Sequence, residues 1–163
     1  MANARDVLQY PAVRRYLLST ALAATARNLL VTVLFKQAFD TSGNALDIGL
    51  IGLAQFVPAV LLVLVSGWVA DRFDRRRVSA VFLFGRVACA MALVVYSQIA
   101  PGTVWPLYAI AFVFGAADAM LAPSRRSIAP LLAPTEMFPQ IIALWTATCT
   151  AASNVGPIVG GFL

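Results

Sequence analysis

The sequence contains no histidine and only two cysteines among its 163 residues. Without histidine the chain lacks the commonest proton shuttle near neutral pH and the commonest metal ligand. Cys89 and Cys149 each stand alone inside an apolar run, so they offer no metal-ligand spacing and read as small packing residues. Charge is scarce too: 12% of residues carry it, where an ordinary soluble domain has about 25%. No Gly-rich phosphate loop is present, which argues against an ATP-driven pump. No set of side chains is arranged to make or break covalent bonds, so an enzyme is not expected. Nor does any segment alternate in polarity as the strands of a membrane β-barrel do.

What the chain has instead is long apolar runs. Hydrophobic residues make up 61% of it, and the mean hydropathy is +0.83. Crossing a bilayer takes about 20 mostly apolar residues, and five stretches qualify: 17–39, 48–70, 78–99, 104–123 and 138–161. Ile48 to Ala70 has no charge on any side, the mark of a buried or lipid-facing helix. Turn formers punctuate the intervals, as in "DTSGNALD" (40–47) and "APGT" (100–103). Lipid offers backbone groups no partners, so such runs must be helices. The expected fold is an all-α integral membrane bundle. The first run is too long and too polar in its middle for a secretory signal, and no small-residue cleavage site follows it.

The distribution of charge threads the bundle. Arg5, Arg14 and Arg15 precede the first run, Arg72, Arg75, Arg76 and Arg77 lie between the second and third, and Arg125 and Arg126 follow the fourth. If the helices alternate, these segments share one side. The opposite segments hold Asp40 and Asp47 and no Arg or Lys, with Lys36 just inside a helix end. Such asymmetry expects the basic side, and the N-terminus with it, in the cytoplasm. The net charge of +5 is thereby explained without a nucleic-acid partner.

A basic turn should need only arginines, yet "GWVADRFDRRR" (67–77) also carries Asp71 and Asp74. Gly67, Asp71, Arg72, Arg75 and Arg76 fit G-x-x-x-D-[RK]-x-G-R-[RK], with Asp74 where the second glycine stands. In sequence and in placement this resembles the signature loop of the major facilitator superfamily. Asp is among the few residues that tolerate a left-handed turn, and the variant looks like that of the drug- and siderophore-exporting branch. Gly67 would let another helix approach closely, and Asp71 could accept bonds from Arg75 or Arg76. The resemblance implies that Asp71 also latches the two halves of a transporter together in one state.

A second resemblance lies in "GPIVGG" (156–161): Gly156, Pro157, Gly160 and Gly161 match the end of the family's antiporter motif. Thr148, Ala152, Gly156 and Gly160 recur every four residues as a stripe for close packing, and Pro157 removes one helix bond. Ala111, Gly115 and Ala119 form a similar stripe. A third family pattern, an arginine three residues before Gly115, is absent; Phe112 stands there, so proton coupling is not implied by that route.

Three ionisable groups, Arg27, Arg86 and Asp118, lie away from the run ends. A charge at a helix centre costs about 2.5–3.5 kcal/mol on insertion scales, so each calls for a reason. By the resemblance, helices one and four line the central cavity, making Arg27 and Asp118 the candidates for substrate or proton contact. Asn28 and Gln55 could add polar contacts there or bond between helices. Asp118 either takes up and releases a proton, tuned by an arginine, or forms a fixed pair with Arg86 or Arg27. Arg86 is otherwise expected to snorkel toward the headgroups. Trp105, Tyr108, Tyr96 and Tyr16 suit an interfacial belt, and Trp145 is expected to pack or, less simply, to stack on substrate.

The resemblance implies the first five helices of a twelve-helix bundle lacking its C-terminal half. It also implies a multi-pass protein of the inner membrane that moves a small molecule on the proton gradient, with no cofactor or metal. An importer or facilitator on the same scaffold, and a truncated protein that transports nothing, remain the rival expectations.

Overall fold

A computed structural model describes residues 9–72, 75–99, 102–126 and 138–162, and their side chains except those of residues 63–71, 75–76, 122–126, 138 and 162. Five helices follow in order: α1 Pro11–Ser42, α2 Ala45–Arg72, α3 Arg75–Ile99, α4 Trp105–Arg126 and α5 Phe138–Phe162. The described residues contain no strand. The all-α expectation holds, but the helices overrun several of the stretches read from hydropathy.

Local chemistry explains the overrun. Pro11 opens α1, where its fixed φ and missing N–H are harmless. The helix therefore takes in Arg14 and Arg15, which sequence reading left outside it. At the other end, Thr41 and Ser42 donate back to the carbonyls of Gln37 (2.7 Å) and Ala38 (2.9 Å), so polar residues extend the helix rather than break it. The chain reverses at Gly43, whose φ of 64° suits glycine, while its N–H bonds the Phe39 carbonyl at 2.7 Å. Asn44 then caps α2, its Oδ1 accepting from the Leu46 N–H at 3.0 Å. Only Gly43 and Asn44 separate the two helices.

The stretches Pro11–Ser42, Ala45–Leu62, Arg77–Ile99 and Pro139–Gly161 are long and apolar enough to cross a membrane. Among the described residues the apolar stretch of α4 is Trp105–Leu121. At 1.5 Å per residue it reaches about 26 Å.

The fold divides into two compact units, residues 1–33 with 127–163 and residues 34–126. In the first, α1 packs on α5: Val13, Leu17 and Ile141 form a buried cluster, with Leu144 and Trp145 against it. In the second, α4 is the central helix. It packs along α2 and along α3, which barely meet each other. Leu34, Ile51, Leu107, Phe114 and Leu121 are fully buried there, with Pro58 inside α2. Outward, Leu22, Leu61, Phe84, Ile99 and Trp105 are each more than 60% exposed. Apolar surface on that scale suits a lipid environment and not water.

Candidate functional site

In the second unit two of the three ionisable residues of the apolar runs meet. An Arg86 guanidinium nitrogen on α3 lies 3.7 Å from a carboxylate oxygen of Asp118 on α4, with the side chains 12% and 27% exposed. The guanidinium also stands over the ring of Phe114, 5.5 Å from its centroid. Phe114 and Asp118 are one helical turn apart, so both face α3. The approach is permitted by small neighbours: a Cβ at Gly85 would lie 3.9 Å from the Ala117 Cβ, in ordinary contact. Arg86 thus pairs across helices, in place of the expected snorkelling. Arg86 is one of the two partners that the sequence left open to Asp118.

On its α2 side α4 is closer still. Gly115 is buried, and a Cβ there would come within 2.8 Å of the Gln55 Cα and 2.9 Å of its carbonyl carbon. Helix backbones touch at this point, and only glycine allows it. The Gln55 Nε2 is buried without a hydrogen-bond partner among the described residues.

In the first unit the small-residue stripe of α5 meets α1. A Cβ at Gly156 would fall 2.6 Å from the Asn28 Cβ and 3.0 Å from the Leu29 nitrogen. At Gly160 it would come 3.1 Å from the Thr32 Cβ, whereas at Gly161 it would meet nothing within 4 Å. The motif therefore divides: Gly156 and Gly160 serve packing against α1, and Gly161 and Pro157 are exposed. Arg27 is exposed and donates to the Asn28 Oδ1 at 3.4 Å.

The profile of the Major Facilitator Superfamily matches residues 16–163. The chain belongs to the major facilitator superfamily. Among curated relatives, "Uncharacterized MFS-type transporter YfiS" of Bacillus subtilis is 28% identical over 134 residues, covering 82% of this chain and 31% of that protein. The staphyloferrin A transporter of Staphylococcus aureus is 27% identical over 129 residues, covering 76% of this chain and 31% of its own length. The chain thus spans about a third of the length of these relatives. No solved structure gives a significant match.

Of the superfamily's signature loop, Arg72 is the exposed last residue of α2. Asp74 lies outside the described residues, as do the side chains of Gly67, Asp71, Arg75 and Arg76. The loop's latching role therefore rests on resemblance.

A polar cluster that sequence reading missed ties the other end of the second unit. Tyr108 on α4 donates to the Asp47 carboxylate on α2. Tyr96 on α3 donates to the Thr103 carbonyl at 2.9 Å and shares a 3.2 Å contact with the Thr41 hydroxyl on α1. These tyrosines bond within the protein, and Trp105 is 77% exposed, as a member of the expected belt would be. Each partner was visible as a polar residue near a run end. Trp145 packs on Val13, Leu17 and Ile141, which favours its packing role.

Proposed function

We propose that the protein is a secondary transporter of the inner membrane, exporting a small organic molecule in exchange for protons by alternating access. The observation that carries the proton role is the Asp118 carboxylate, held beside Arg86 among apolar helices. A carboxylate there exchanges charge with its surroundings only by taking up or releasing a proton. Arg27, Asn28 and Gln55 would supply polar contacts for the substrate. Export of a drug, siderophore or metabolite is supported by the loop variant at Asp74, by the GPxxGG ending, and by a relative named as a staphyloferrin A transporter.

In this reading the N-terminus and the arginine-rich helix ends are cytoplasmic, because the arginines that flank the apolar runs collect on one side. The chain would act with a C-terminal half, the two halves rocking about a midplane site. The gradient supplies the energy, and no cofactor or metal takes part.

The test is substrate uptake by everted membrane vesicles. An exporter loads them when their interior is made acidic, and collapsing the proton gradient stops the uptake. Loading that ignores the gradient would favour a facilitator; loading only in right-side-out vesicles would favour an importer. No flux in either orientation would match a non-transporting protein.

A further inference from the structure

Among its described residues the first unit holds positive charge and no carboxylate: residues 9–33 and all of α5 contain no Asp or Glu. Arg14 and Arg15 stand side by side near the start of α1, and both are exposed. Neither guanidinium forms an ion pair or a hydrogen bond among the described residues.

The face of α1 on which they lie has a definite order. The Arg14 N–H bonds the Tyr10 carbonyl at 3.2 Å, which sets the exposed Tyr10 one turn before it. Leu18 follows one turn after the two arginines and Leu22 one turn after that, on the same side of the helix. These leucines are 61% and 72% exposed, whereas Val13 and Leu17 turn away into the cluster with Ile141 and Trp145. From Arg15 to Leu22 the helix advances about 10 Å. An aromatic ring, two cations and then bare apolar surface succeed one another, as headgroup and acyl chain do in a lipid.

We propose that this face of α1 seats an anionic phospholipid, its phosphate held by Arg14 and Arg15 and an acyl chain lying along Leu18 and Leu22. A guanidinium presents paired donors that match phosphate oxygens, and arginine keeps its charge at every ordinary pH. Its stem lies on apolar surface while its head stays at the water boundary, the level that suits Tyr10 as well. A zwitterionic lipid carries its own ammonium group, which offsets the phosphate charge the arginines would meet. The exposed leucines favour a lipid over free phosphate, which has nothing to place against them. Each arginine near an anionic surface favours association by about fivefold. The inference needs α1 to cross the bilayer and is independent of substrate, direction and coupling.

Trp145 packs on Val13 and Leu17, beside Arg14 in the chain, and so reports on this seat. The experiment uses the intact purified protein in nanodiscs, with W68F and W105F leaving Trp145 as the sole tryptophan. Its fluorescence is quenched by phosphatidylglycerol or phosphatidylcholine, each brominated high on its acyl chains and given at equal mole fraction. The anionic lipid should be preferred at least about threefold. R14Q with R15Q should remove the preference, and R14K with R15K, which keeps the charge, should retain most of it. Equal quenching by the two lipids in the parent overturns the proposal, as does a preference that survives R14Q with R15Q. Should that variant fail to assemble, salt decides on the parent alone. Raising ionic strength from about 0.01 M to about 1 M shortens the screening length from about 30 Å to about 3 Å and should erase most of the preference; indifference to salt would overturn it. Inorganic phosphate should do no more than chloride at equal ionic strength, and selective displacement by phosphate would contradict the lipid assignment.

Discussion

Gly115 of α4 is stacked on the backbone of Gln55 in α2, so close that a Cβ would come within 2.8 Å of the Gln55 Cα. The neighbour is main chain, which cannot turn aside. Gly115→Ala should therefore force α2 and α4 apart, where overpacking typically costs about 1–3 kcal/mol. Thermal denaturation in detergent should show a clear fall in melting temperature. A melting temperature equal to the parent's would mean that the two helices do not cross there.

The two glycines at the ends of the GPxxGG motif should respond in opposite ways. Gly156→Ala would drive a methyl group to 2.6 Å from the Asn28 Cβ, and it should destabilise the α1–α5 contact. Gly161→Ala meets nothing within 4 Å, and alanine is favoured over glycine in a helix by roughly 0.5–1 kcal/mol. It should be neutral or slightly stabilising by the same assay. Equal losses at both positions would contradict the packing described here.

Tyr96→Phe removes one hydroxyl that serves both Thr103 and Thr41 while leaving the buried ring in place. Each such bond contributes about 0.5–1.5 kcal/mol net. The variant should melt earlier, and exchange of backbone amides around Thr41 and Thr103 should quicken. Unaltered exchange at both places would exclude the link.

How much of this was legible in advance differs by level. Helix number and type followed from the apolar runs, because a chain without alternation or dense charge has no other way to satisfy its backbone in lipid. Helix ends were read too short at α1, since Thr41 and Ser42 look like turn residues yet bond back into their own helix. The α5 stripe was visible as spacing, and its contact residues on α1 were not. Asp118 and Arg86 each stood out as charges in apolar runs, but their pairing depends on the register of α3 against α4, which no local pattern encodes. The Tyr108–Asp47 bond was hidden for the same reason: the two residues are 61 positions apart.

The claim on which transport most depends is that the arginine-bearing ends of α2 and α3 face the cell interior. Its most direct measurement is labelling of single cysteines by a membrane-impermeant reagent, with Cys89 and Cys149 first replaced by alanine. A cysteine at Arg77 should react in everted vesicles and stay protected in intact cells, and a cysteine at Gly43 should do the reverse. Labelling of position 77 from outside intact cells, with position 43 reached only in everted vesicles, would contradict the account.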